Sequence, residues 1–376
     1  MNFIEEFKKG QSGSNKGLPL GPGLSAVTQA INGTAMGRYV IIASPPKVGK
    51  TTYVNYSYVA SPYIYALENN IEIEWIYYSL EMTRLDQEFN FAVYFLFYDF
   101  GITEVELPPG VLKRGCSKVA LSVDYLRGRL MDDNYEVIKV NADIFEKLKI
   151  VYTTRIIPLF GEFSKEGVQI KEGLITVIEN SNNPTGTYKE LLHFAERRGV
   201  LHKKKYGEGE RLVGYTPTNP DKYVIVIQDH MRKVVLERGY DERTTINKLS
   251  EYFVMLRNLL NWTFVGIIHL NRSLNDLDRF KQFGDKLFPD SDMIKSSGSL
   301  SEDADYVFTL FNPNDERYNL KKHFGIEIKD MYNNLLYPNY RSIHLVESRH
   351  CAYPQHFAVN MIGSYKNFEN FKEIKK

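Results

Sequence analysis

The sequence predicts an α/β protein built on a mostly parallel sheet flanked by helices. Three observations carry that expectation: strand-like apolar runs alternate with helix-like segments from Gly17 to Phe371, the polar punctuation of the runs falls at their C-terminal ends, and a Gly-Lys-Thr triplet follows the first run. In an open α/β sheet those ends face the ligand crevice, so side chains placed there are the first candidates for chemistry.

In chain order, residues 1–16 read as an N-terminal arm, with Phe3, Ile4 and Phe7 among charges followed by the linker-like run GQSGSNKG. Residues 17–376 read as one large domain. Five runs read as buried strands, Tyr39–Ala43, Trp75–Ser79, Tyr223–Ile227, Thr263–Ile268 and Tyr306–Phe311, with Ser342–Val346 as a sixth. Segment 245–261 carries Leu249, Phe253, Leu256 and Leu260 at helical spacing and predicts a covering helix. Between the second and third of these strands, the stretch of about 100–221 reads as an insertion. Its basic residues Lys203, Lys204 and Lys205 sit beside turn residues and read as a solvated hairpin. The 26 Tyr and 22 Phe read as core and sheet filler rather than a platform for bases.

A chain of 376 residues with 43% hydrophobic and 25% charged content can bury a large core, which excludes disorder as its default. With 47 basic against 46 acidic residues the net charge is +1, so any nucleic-acid contact must be local; a ring would multiply a few channel cations by its copy number. The N-terminus MNFIEEFKKG lacks the layout of a signal peptide and no apolar run of about 18 residues occurs, so a soluble, cytoplasmic protein without a membrane partner is expected. Cys116 and Cys351 are too few for a disulfide framework and lack zinc spacing; both read as buried or half-buried.

SPPKVGKTT, that is Ser44, Pro45, Pro46, Lys47, Val48, Gly49, Lys50, Thr51 and Thr52, has the context of a phosphate-binding loop, since it follows a strand and opens a helix. Gly49 lets backbone N–H groups approach phosphates, Lys50 reaches the β and γ groups, and the Thr51 hydroxyl suits Mg2+. Ser44 replaces the usual first glycine. Asp229, just beyond the strand Tyr223–Ile227, is the best magnesium carboxylate, with a solvated strand end as its alternative. Glu81, at the end of WIYYSLEM, can polarise an attacking water; capping the next helix is the other reading.

The order of these motifs resembles the RecA-like motor domain of DnaB-type replicative DNA helicases. GLPLGPGLSAVTQAI is similar to the family's opening segment, SPPKVGKT to its Walker A loop, YYSLEM to the strand of its catalytic glutamate and VIVIQDHMRKV to Walker B. GIIHLNRSL resembles the motif that senses the γ-phosphate, KSSGSLSEDADYVF the DNA-binding loop, ESRHCAYP the arginine-finger segment and IGSYKNFENF the closing strand. The resemblance implies a P-loop NTPase that uses ATP and Mg2+, forms a homohexameric ring with ATP between neighbours, and translocates on single-stranded DNA to unwind duplex. It makes Glu81, Lys50, Arg349 and His269 catalytic, Arg349 reaching a neighbour's ATP, and it places Tyr365 at the nucleotide.

Two departures stand out: His269 occupies a position where the family has glutamine, and Glu347 one where relatives carry lysine. For DNA the resemblance points to Lys295, Ser296, Ser297 and Gly298, with Arg272 beside them and Arg279, Lys281 and Lys286 adding charge; such donors suit phosphates rather than base edges. The family's N-terminal domain finds no room, so a separate primase or loader is expected as a partner, as in a phage or plasmid replicon working in the bacterial host cytoplasm. Two rivals are kept: a RecA-like recombinase or regulatory ATPase that binds DNA without unwinding it, and a non-catalytic loading subunit that retains nucleotide.

Overall fold

Strands that are apolar at every position must be covered on both faces. The computed structural model describes residues 16–207, 209–270, 283–295 and 300–373, with 4, 7, 8 and 11 of the arm, and its central strands meet that demand. The sheet strands are β1 (Tyr39–Ser44), β2 (Ile73–Ser79), β3 (Ile175–Ile178), β4 (Tyr223–Asp229), β5 (Thr263–His269), β6 (Tyr306–Phe311), β7 (Tyr340–Ser348), β8 (Gln355–Ile362) and β9 (Asn367–Asn370). They lie in the order β9-β8-β7-β6-β1-β5-β4-β2-β3. The six from β6 to β3 are parallel, and β7, β8 and β9 extend the sheet antiparallel.

Side chains alternate between two cores along each strand. Val40, Ile42, Trp75, Tyr77, Ile225 and Ile227 face one, against Tyr53, Val59, Phe91 and Phe95. Those partners come from a helical run, α1 (Lys50–Val54), a π-helical turn Asn55–Ala60 and α2 (Ser61–Asn69), and from α3 (Arg84–Phe100). Ile41, Ala43, Ile76, Val224, Val226 and Phe264 face the other core, filled by Leu191 and Phe194 and by Leu249, Phe253, Leu256 and Leu260. Fully burying a side chain such as Phe253 stabilises by roughly 1.5–3 kcal/mol.

The stretch 100–221 is more than an excursion from the sheet. It contributes α4 (Ala142–Val151), the edge strand β3, α5 (Pro184–Glu196) and a hairpin of Gly199–Tyr206 with Gly209–Pro217. Four residues of strand, two of them half-exposed, are too short a run to read from periodicity. Lys203, Lys204 and Lys205 lie exposed on the hairpin, as expected. The covering helix expected over 245–261 is α6 (Glu242–Leu260), begun by the Asp241 carboxylate accepting from Thr244 N at 2.7 Å. It ends at Asn261, in the left-handed region at φ 57°. Cys351 is half-buried, whereas Cys116 is exposed on a turn, contrary to the expectation for it. No described helix is long and apolar enough to cross a membrane.

Candidate active site

The register of the parallel strands sets the site. Ser44 on β1 lies opposite His269 on β5, and Asp229 on β4 lies opposite Ser79 on β2, so the loop after β1 and the ends of three neighbours share one edge. Gly49 has φ 106°, a left-handed conformation that favours glycine, and a Cβ there would lie 2.4 Å from Met361 Sδ. Lys50 opens the helical run with its amine folded back: Nζ donates to His269 Nδ1 at 2.9 Å and shares its other hydrogens among Ser44 Oγ at 3.2 Å, Pro45 O at 3.2 Å and Ser44 O at 3.3 Å. Ser44, where a glycine was expected, thus helps to hold the lysine. Burial brings the Lys50 amine down to about 8, partly offset by Asp229 and Glu81.

Thr51 Oγ1 donates to Asp229 Oδ2 at 3.0 Å, and the Tyr77 hydroxyl reaches the same oxygen at 3.4 Å. The other oxygen, Oδ1, is buried without a hydrogen-bond partner among the described residues. Burial pushes the Asp229 carboxyl up to about 6, the Thr51 hydrogen bond and the Lys50 charge opposing it and the Glu81 charge adding to it. A carboxylate beside a helix-opening hydroxyl, with one oxygen unsatisfied, fits Mg2+. Among the described residues no group of three or more His, Cys, Asp or Glu could hold a metal.

Glu81 stands two residues past the end of β2, at the same edge, its carboxylate 4.0 Å from His269 Nε2. Its backbone is held from both sides. Leu80 N donates to Asp229 O at 2.7 Å and Ser79 Oγ to Met82 O at 2.6 Å, after which α3 begins with Thr83 and Asp86 capping one another. Thr83 therefore caps the helix, and Glu81 does not. His269 is itself stacked on His230, ring centroids 4.2 Å apart and planes 20° from parallel. Burial, with the Lys50 charge next, lowers His269 to about 4; burial and the charge of His269 lower His230 to about 2.

The other candidates divide. Arg349 is exposed at the opposite, N-terminal edge of β6 and β1, its backbone N–H on Asp305 O and its guanidinium donating to Glu302 O. It therefore cannot join Lys50 within one copy. Tyr365 stacks on Phe97 of α3 at 4.4 Å, and its neighbour Lys366 lines a cavity of about 140 Å³ beside Thr51, Thr52, Asn55, Asn90 and Tyr94. Burial lowers the Lys366 amine. Lys366, Asn90 and His230 were not singled out from sequence: a lone polar residue on a helix or turn carries no pattern until the fold aims it. Ser296, Ser297, Gly298, Arg272, Arg279 and Lys281 lie outside the described residues, as does the Lys295 side chain; Lys286 is exposed on a short turn.

No protein-family model matches the sequence, and no curated protein matches it. Solved structures do. The ATPase domain of a helicase superposes with a TM-score of 0.63 at 14% identity, covering 98% of this chain and 97% of that one. A DnaB-like replicative helicase, described with its interactions with primase, superposes with a TM-score of 0.61 at 14% identity over 98% of this chain, which spans 66% of the helicase's length. At that identity the likeness shows the fold alone, a RecA-like α/β fold with a mostly parallel central sheet flanked by helices.

Proposed function

We propose that this chain is an ATP-hydrolysing DNA helicase motor that works as a ring of copies. The observation that carries the reading is the single edge on which Lys50, Thr51, Asp229, Glu81 and His269 meet, while Arg349 stands at the opposite edge. Lys50 is held by loop carbonyls that its amine can leave for the β and γ phosphates, whose charge favours its protonated form. Thr51 and Asp229 would hold Mg2+. The ion would neutralise developing phosphate charge. Glu81 orients the attacking water, and His269 donates from Nε2 toward the charge that builds at the γ-phosphate. The cavity bounded by Thr52, Asn90 and Lys366 takes the nucleoside end.

An arginine on the far edge serves catalysis only in another copy, which favours a closed ring, six-membered in this reading, over a lone subunit. Single-stranded DNA would meet the segment 295–298, and a primase or loader is the expected partner in replication of a phage or plasmid genome. The test is a fork-unwinding and DNA-stimulated ATPase assay, with and without ATP, beside a mass measurement of the assembly. ATP-dependent strand separation by a ring, abolished by Glu81→Gln with nucleotide binding kept, is the expected result. Strand exchange on filaments without unwinding would replace the reading by a recombinase, and nucleotide binding without any turnover by a loading subunit.

A further inference from the structure

The polar edge contains one ring that the proposed chemistry does not use. His230 follows Asp229 directly, is only 1% exposed, and gives no hydrogen bond to Lys50, Glu81 or Asp229. Its Nδ1 accepts from Arg232 N at 3.3 Å, which leaves the proton on Nε2, and Nε2 has no partner among the described residues. What His230 offers the site is a flat face, laid against His269 at 4.2 Å.

His269 needs such a support. Its Nδ1 accepts from the Lys50 ammonium at 2.9 Å, so its proton sits on Nε2, the nitrogen that faces Glu81 at 4.0 Å. Rotating the ring by a half turn about its Cβ–Cγ bond would break both relations. His230 is in turn immobilised by its own backbone: Lys233 N donates to His230 O at 2.9 Å, and Met231 packs where a Cβ on Gly266 of β5 would lie 2.5 Å from its Sδ.

We infer that His230 is a positioning residue, whose ring face fixes the plane and tautomer of His269 between the loop lysine and Glu81. Its consequence for turnover rests on the motor reading above; its geometry does not. A planar ring of any polarity can do this work, whereas an aliphatic side chain cannot.

The experiment uses the full chain labelled with 15N-histidine and reads the His269 ring nitrogens in long-range proton–nitrogen spectra, the signals assigned by their loss in His269→Gln. The wild type and His230→Phe are expected to show the Nε2–H tautomer, and His230→Ala averaged nitrogen shifts. In parallel, His230→Ala is expected to lower kcat by about tenfold or more with KM for ATP within about twofold, and His230→Phe to restore it. His230→Leu, of similar bulk but without a flat face, replaces the alanine variant should that fail to fold. An unchanged His269 tautomer in His230→Ala or His230→Leu overturns the inference, as does a phenylalanine variant as impaired as either. A wild type without ATPase activity sinks the motor reading alone, because the spectra still decide the role of His230.

Discussion

Two histidine-rich clusters in this molecule look alike in composition and differ in how their hydrogen bonds close. In the first, across β7, β8 and the chain on either side of β6, His323 Nε2 donates to Leu287 O at 2.9 Å and its Nδ1 accepts from the Tyr340 hydroxyl at 2.9 Å. His344 meets Ser342 Oγ at 2.8 Å and His356 Nδ1 at 2.6 Å, while Phe288 stacks on it and Phe324 lies against His356. None of these side chains leaves a buried polar atom unpartnered among the described residues. Around Lys50 the opposite holds: Asp229 Oδ1 and, beside His269, His230 Nε2 are buried and unpartnered among the described residues. The first cluster is complete in itself and holds the fold. The second keeps a buried carboxylate oxygen unsatisfied, which is how a candidate binding site differs from a closed core.

The sharpest break between the two comes from variants. Glu81→Gln should lower kcat by about 10²–10⁴-fold with nucleotide affinity preserved, measured as steady-state turnover beside equilibrium binding. Arg349→Ala should cost about 10³-fold in turnover, and mixing it with Glu81→Gln should recover part of the activity, since each variant supplies what the other lacks. A mixture as inactive as its components would place Arg349 outside catalysis. His344→Ala, by contrast, should cost about 2–4 kcal/mol in chemical denaturation and leave turnover per folded molecule unchanged, since it empties a buried position and strips His356 and Ser342 of a partner.

The smallest effects are in pH, and they run in opposite directions. Burial lowers His323 to about 4 and His344 well below its ordinary value, so their stabilisation is present above the unfolded value of 6.5 and is lost as pH falls toward and through the folded values. Each can contribute up to about 1.4 kcal/mol per pH unit in that window. Asp229 is raised from 3.8 to about 6, so its share is present when protonated, full below 3.8, and lost as pH rises through 6. Denaturation series between pH 4 and 7 should therefore show a shallower acid loss for His344→Phe than for the wild type and a steeper one for Asp229→Asn. Identical slopes in all three would remove the contrast between the clusters.

Much of this was legible in the residues alone. β1, β2, β4, β5 and β6 announce themselves because strands buried on both faces are apolar at nearly every position, and α6 because its stripe repeats at helical spacing. The loop Ser44–Thr52 and the two carboxylates stood out as candidates because phosphate chemistry favours those residue types just past strand ends. β3 was not, since it is four residues long at the sheet edge, nor was β8, half-covered and interrupted by polar positions. Tyr365, which the resemblance put at the nucleotide, stacks on Phe97, and its neighbour Lys366 lines the cavity beside Thr51 and Thr52.

Local pattern thus determined which residues could do chemistry, because hydrophobic period and loop chemistry act over a few neighbours. Strand order and register decided which of them meet. Ser44 and His269 are 225 residues apart yet pair in the sheet, and Glu81 joins Asp229 only because β2 lies against β4. Such pairings are set by the packing of two cores over the whole sheet, a long-range balance that no short window of sequence contains.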